Sequence, residues 1–241
     1  MENNLLEEGL DILCQNDPDA QAPILPRREK IILLLQKYIA QIELYNPAWG
    51  LVGTNDRREL VIRHILDSLA PLGLMCRLLK ACGAITHIAD VGSGAGLPGI
   101  PLAIALPNVR FTLIERSGRR ANFLRNALGD LALPNVSVEE AEMEKFKMLM
   151  SFDLVTFRAF KPLEPKLLKC LLRLCTAGGA LVAYKGRREK VESEMAALEN
   201  SLIVKGQKYP AIRWELLPCP TPLLDEERHI LLIRGEGSSC L

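Results

Sequence analysis

Asp90-Val91-Gly92-Ser93-Gly94-Ala95-Gly96-Leu97-Pro98-Gly99 is the stretch on which the fold turns. It closes a short apolar run at 85–91 and opens an apolar segment, Leu97 to Leu106, that has Pro98 and Pro101 near its start and Pro107 behind it. Proline is tolerated at the start of a helix and stops one further on, so the order is strand, glycine turn, helix. An acid at the end of a strand, entering glycines at a helix start, is how nucleotide-like ligands are held at the carboxyl edge of a sheet. Residues without a Cβ let the backbone approach the ligand.

Two registers of these glycines compete. Gly94, Gly96 and Gly99 fit GxGxxG, the fingerprint of a dinucleotide cofactor. Asp90-x-Gly92-x-Gly94-x-Gly96 begins directly after the strand, where the tight turn must lie, and resembles the first motif of class I S-adenosylmethionine-dependent methyltransferases. Glu115, closing the next predicted strand, suits the ribose hydroxyls in either reading.

Outward from the glycines, β-branched runs alternate with amphipathic stretches, the signature of βαβ units and a parallel sheet. Strands are expected at 85–91, 109–115, 136–138, 152–157, 180–184, 211–217 and 229–234, and helices at 97–106, 119–131 and 163–174. The last two strands are separated by residues 218–228, which have no helical pattern, so they form an antiparallel hairpin at the sheet edge. That edge is typical of methyltransferases and not of the dinucleotide fold. Before residue 84 the spacing predicts helices over 27–45 and 57–82. The resulting division is an acidic, solvated leader at 1–26, a helical extension at 27–83 and an α/β core at 84–241.

Composition narrows the classes. The chain has 241 residues, 49% hydrophobic and 24% charged, with no apolar run near the ~20 residues of a membrane span. A net charge of +1 excludes a binder that relies on bulk positive charge, though not a locally basic face. Seven cysteines without a CxxC pair fit neither a disulfide framework nor a zinc site. Six acids and no Lys or Arg in the first 26 residues do not fit a secretory signal, and the expectation is a reduced cytoplasmic protein.

Five ordered blocks are more specific than the glycines alone: Arg63-His64-Ile65-Leu66-Asp67-Ser68, Asp90 to Ile100, Phe157-Arg158-Ala159-Phe160, Tyr184-Lys185-Gly186 and Glu227-Arg228-His229. Together, over about 38–234, they resemble the RsmG (GidB) family, the 16S ribosomal RNA guanine-N7 methyltransferases of bacteria. The resemblance implies a class I methyltransferase fold, Rossmann-like with seven mostly parallel strands and an antiparallel last strand, preceded by helices. It implies S-adenosylmethionine as donor and 16S rRNA or the 30S subunit as partner. It places the donor around Gly92 and Leu97, at Met143 and Glu144, and at Arg158, with Asp90, Gly94, Gly96 and Glu115 completing the cofactor set. Where the family has Tyr-Asn-Leu-Thr, this chain reads Tyr45-Asn46-Pro47-Ala48-Trp49 and reaches Thr54 only later.

Guanine N7 has a free lone pair and no proton, so methylation there needs no general base. It needs orientation, to which Arg158 is assigned, with Phe157 or Phe160 as a stacking face. Basic residues Arg116, Arg119, Arg120 and Arg125, and then Lys185, Arg187, Arg188 and Lys190, are candidates for RNA phosphates. Asn46-Pro47-Ala48-Trp49 resembles the clamp of amino-group methyltransferases, and Pro218-Cys219-Pro220 the nucleophile of cytosine-C5 enzymes, but both lie at the wrong place in the chain. His64, beside Asp67 at i+3, and His229 are expected to be structural, and with His87 they are too scattered for a metal. A small-molecule methyltransferase and a catalytically silent RNA-binding module are the competing functions. A monomer is expected.

Overall fold

The computed structural model describes residues 3–82, 86–146, 148–158, 162–204 and 212–235. A seven-stranded sheet runs β3 (Val136–Glu140), β2 (Arg110–Glu115), β1 (His87–Val91), β4 (Phe152–Arg158), β5 (Cys175–Lys185), β7 (His229–Gly235) and β6 (Ile212–Pro218). The pairs from β3 to β5 are parallel, and β7 is antiparallel to both β5 and β6. Pro218 pairs with His229, so the predicted edge hairpin is present.

Side chains alternate between two apolar layers, as the period of a strand requires. Ile88, Phe111, Leu113, Leu154, Val182 and Leu232 face one cluster. Ala89, Ile114, Val155, Phe157, Leu181 and Leu231 face the other. The first layer is covered by α7 (Gly99–Ala105), α8 (Gly118–Leu131) and the N-terminal helices. The second is covered by α9 (Pro165–Leu172) and α10 (Arg188–Val204), the latter through Val191, Met195 and Leu198. Helix α10 has no counterpart among the predicted elements, although the i, i+4, i+7 spacing of those three residues is its signal.

The N-terminal residues correct an expectation. Instead of a solvated leader, α1 (Asn3–Asn16) and α2 (Pro18–Ile24) bury Leu6, Leu10, Leu13, Ala20 and Ile24 in the same cluster as one face of the sheet. The acids are on the outside: Asp11 accepts from Arg28, and Asp17 and Asp19 from Arg77, with Lys80 also on Asp19. Charge therefore marks the outer face of these helices, not the lack of a buried one.

Helix α3 (Arg28–Trp49) buries Ile31, Leu35, Tyr38, Ile39 and Ile42 and ends at Gly50, whose φ of 59° and N–H to the Asn46 carbonyl form the cap. The predicted helix 57–82 is broken into α4 (Arg57–Glu59), a π-helical turn (Leu60–Leu66), α5 (Asp67–Leu69) and α6 (Leu72–Cys82). Such π turns recur at functional sites because they re-aim side chains. This one carries Arg63 and His64.

Candidate active site

Register sets one row of residues along the carboxyl edge. Val91 pairs with Ile114 and Asp90 with Thr156, so Glu115, Gly92 and Arg158 leave their strands at one level. Arg158 pairs with Tyr184, and Tyr184 with Ile230. The β1–β2 half of this row carries the glycine loop, and the β4–β5–β7 half carries a cavity.

In the glycine loop, Gly92, Gly94 and Gly96 have φ of 69°, 61° and 91°, the left-handed region that favours glycine. A Cβ on Gly96 would lie 2.5 Å from Ile100 Cδ1, whereas one on Gly94 would meet only the Gly92 carbonyl, 3.8 Å away. Glycine is thus needed for packing at 96, and at 94 it leaves open space. Asp90 is fully buried, and its Oδ2 accepts from Ser93 Oγ (2.7 Å) and the Gly99 N–H (2.9 Å). Its Oδ1 is the one buried side-chain polar atom among the described residues without a partner. Burial pushes its carboxyl up to about 6. Glu115 accepts the Gly94 and Ser117 N–H groups, each at 2.8 Å, so it also shapes the loop. Leu97 is buried, and its N–H donates to the Ser93 carbonyl at 3.1 Å. Tyr38 Oη donates to the Ala95 carbonyl at 2.5 Å, bracing the loop from α3.

The cavity, about 250 Å³, is walled by Arg63, His64, Asp67, Arg158, Tyr184, Lys185, Gly186, Cys219, Arg228 and His229 among others. Four of the five sequence blocks thus converge on one space. Asp67 is the hub. Its Oδ2 accepts from Arg158 Nη1 (3.0 Å), and its Oδ1 from Thr221 Oγ1 (3.0 Å) and Arg228 Nε (3.2 Å). Arg158 also donates to the carbonyls of Arg63 (3.3 Å) and His64 (3.4 Å) and reaches His64 Nδ1 at 3.0 Å. Tyr184 Oη donates to the Ser68 carbonyl at 2.7 Å.

Other candidates distribute as follows. Phe157 is buried and presents no stacking face, because it lies with Val155 on the face of β4 that α9 and α10 cover. Phe160 and the side chain of Glu144 lie outside the described residues. Met143, in the 3₁₀ turn Met143–Lys145 just past β3, is half-buried against the second cluster. Arg116 and Arg119 are exposed beside the end of β2 and Arg120 is half-buried, whereas Arg125 pairs with Glu140 at 3.1 Å. On the other side of the site, Arg187 and Arg188 are exposed. Lys185 is held by both oxygens of Glu194 (2.7 and 2.9 Å), so it is a buttress of α10 and not an open phosphate ligand.

Asn46 fastens the 52–55 loop by accepting from the Val52 N–H and donating to the Thr54 carbonyl, which explains it without a substrate. Cys219 lines the cavity, but burial pushes its thiol up to about 12, so it stays protonated and is no nucleophile. His229 Nδ1 donates to the Gly186 carbonyl at 2.8 Å. His64 does not bond Asp67, as its i+3 spacing suggested; the π turn gives it to Arg158 instead. Sequence reasoning missed the meeting of Arg63, His64, Asp67, Thr221 and Arg228; the only signal was membership of the ordered blocks, and Thr221, which lies in none of them, had no signal.

A parallel sheet closed by an antiparallel β7, with a glycine loop after β1 and an acid after β2, defines the class I methyltransferase fold. A putative O-methyltransferase from Klebsiella pneumoniae has it too, with a TM-score of 0.54 at 17% identity over 82% of this chain and 89% of that one. Within that class, the chain belongs to the GidB family, described as rRNA small subunit methyltransferase G, whose profile matches residues 31–214. Among its relatives are proteins named ribosomal RNA small subunit methyltransferase G. That of Treponema denticola is 32% identical over 97% of this chain and 94% of its own length. That of Xanthomonas euvesicatoria pv. vesicatoria is 36% identical over 83% and 85%.

Proposed function

We propose that this chain transfers the methyl group of S-adenosylmethionine to N7 of a guanine in 16S rRNA. Family membership supports the reaction and the RNA class. The observation that carries the reading to these residues is the shared row, which sets the glycine loop and the four-block cavity side by side at one sheet edge.

The loop fits the donor on two counts: open space over Gly94, and a buried Asp90 Oδ1 that lacks a partner. Asp90, Gly92, Gly94, Gly96, Leu97, Glu115, Met143, Glu144 and Arg158 would hold it. When bound, S-adenosylmethionine supplies an electrophilic methyl group on a sulfonium. The residues of the chain then have to orient, not to ionise, since N7 offers a lone pair and sheds no proton. Holding two reactants in line can contribute about 7–11 kcal/mol in favourable cases. Arg158, tied to Asp67 and to two carbonyls, is built to stay in place between the two halves of the site.

Arg116, Arg119 and Arg120 on one side and Arg187 and Arg188 on the other flank the site at the same edge, and would take RNA phosphates. A monomer is part of this reading, and rRNA as substrate implies the cytoplasm. Among the described residues no helix is long and apolar enough to cross a membrane.

The test is transfer of a labelled methyl group from S-adenosylmethionine to 30S subunits, followed by nucleoside digestion. Label in 7-methylguanosine is expected. Label in another nucleoside would refute the ring position, and no transfer despite donor binding would favour a small-molecule acceptor.

A further inference from the structure

Purine chemistry sets a recognition problem for any enzyme acting at N7. Guanine and adenine share N7 on that edge and differ beside it, where guanine has the acceptor O6 and adenine the donor N6. N7 must stay open to the incoming methyl, so discrimination on that edge falls on its neighbour. It requires a hydrogen-bond donor that cannot turn into an acceptor.

His64 meets that requirement. Arg158 Nη2 lies 3.0 Å from its Nδ1. A guanidinium only donates, so Nδ1 is the unprotonated, accepting nitrogen, and the ring proton sits on Nε2. Burial and the charge of Arg158 push the imidazole down to about 4, which keeps it neutral at physiological pH. Among the described residues, Nε2 has no protein acceptor. Each other wall side chain that carries an N–H or O–H has one: Arg63 on Glu226, Arg158 and Arg228 on Asp67, Tyr184 on the Ser68 carbonyl, Lys185 on Glu194 and His229 on the Gly186 carbonyl.

We infer that His64 Nε2–H donates to O6 of the acceptor guanine, and that this bond selects guanine over adenine at the same N7. Arg158 is its positioning residue, since occupying Nδ1 fixes the tautomer, and Asp67 holds Arg158 in turn. The inference rests on the guanine-N7 reading above.

It is tested with small-subunit RNA in which the guanosine that the wild-type enzyme labels is replaced by 2-aminopurine riboside, which keeps N7 and lacks O6. The wild type should prefer guanine by about tenfold, the weight of one good hydrogen bond. His64→Ala should lose about that factor on guanine and treat the two substrates alike, with its Kd for S-adenosylmethionine unchanged. His64→Gln, whose amide can place an N–H near Nε2, should recover much of the preference, which a merely structural histidine would not do. A wild type indifferent to the loss of O6 overturns the inference without recourse to any variant. So does a guanine preference that survives in His64→Ala, or a loss of donor affinity as large as the loss of transfer. In each of these cases 7-methylguanosine is still the wild-type product; its absence overturns the N7 reading itself.

Discussion

Replacing Asp67 with alanine removes a carboxylate that ties its own turn to Arg158 and to the loop carrying Thr221 and Arg228. The Asp67 side chain is 9% exposed, that of Arg158 14% and that of Arg228 23%. Arg228 keeps a second partner in Glu226 at 3.1 Å, and Arg158 keeps the long bonds to the carbonyls of Arg63 and His64. Breaking a buried ion pair by deleting one partner costs about 3–5 kcal/mol, and these surviving contacts put Asp67→Ala near the lower figure, about 3 kcal/mol. Asp67→Asn keeps an acceptor for Thr221 and one guanidinium but turns an amide toward the other, and is expected to cost about half as much, roughly 1–2 kcal/mol. Urea unfolding followed by circular dichroism gives both values by linear extrapolation, with an unchanged slope showing that the two states stay comparable. The folded fraction of either variant should also transfer methyl groups more slowly, because Arg158 loses its carboxylate anchor. A loss below about 1 kcal/mol in the alanine variant would show that the pair is worth no more than a solvated one. Wild-type transfer by that variant would remove Asp67 from the site.

Three further expectations follow from other parts of the fold. Gly94→Ala should cost about 1–2 kcal/mol in left-handed strain yet weaken S-adenosylmethionine binding strongly, whereas Gly96→Ala adds a clash with Ile100 and should destabilise more; calorimetric titration beside thermal melts separates the two, and equal donor affinity in Gly94→Ala and wild type would refute the open-space argument. Leu10→Ala should lose about 2–5 kcal/mol in denaturant titration, since Leu10 is fully buried, and a loss near zero would restore the solvated leader. Asp90 retains its proton up to about pH 6 in the folded chain against 3.8 for its ordinary value, so its contribution is fully present below about pH 4 and is lost as the pH rises through 6. Wild type should therefore lose up to about 3 kcal/mol relative to Asp90→Asn across that window, and parallel stability profiles would refute it.

The sheet was legible because its cues are local. Each strand carries its own β-branched run, and the glycine loop sits where a strand stops. The misses of α1 and α10 have a common cause: acids there are dense enough to hide Leu6, Leu10 and Leu13, or Val191, Met195 and Leu198, whose spacing was nonetheless helical. Phe157 was misread although strand alternation puts it on one face with the apolar Val155, as expected of a strand in a covered sheet. The cavity could not be read at all from spacing. Arg228 lies 161 residues from Asp67 and comes within reach only because the β6–β7 hairpin returns along the carboxyl edge. The accepting nitrogen of His64 depends on which neighbour the π turn offers it, and no periodicity encodes that choice.

The N-terminal helices are better regarded as a wall of the site than as an accessory. Three polar ties bind them to the carboxyl edge: Tyr38 to the Ala95 carbonyl, Tyr184 to the Ser68 carbonyl and Asp67 to Arg158. Polar groups buried at a site cost free energy unless they are satisfied, and here nearly all of them are satisfied by one another. That is the arrangement expected when the acceptor loses no proton, because a base would need a titratable group left free to work. Among the described residues, each half of the site offers a polar atom without a protein partner: the acceptor Asp90 Oδ1 beside the glycine loop and the donor His64 Nε2 of the cavity wall. A site whose work is orientation needs a rigid frame with few open valences, each of a sign that one ligand must match, and these two atoms have that character.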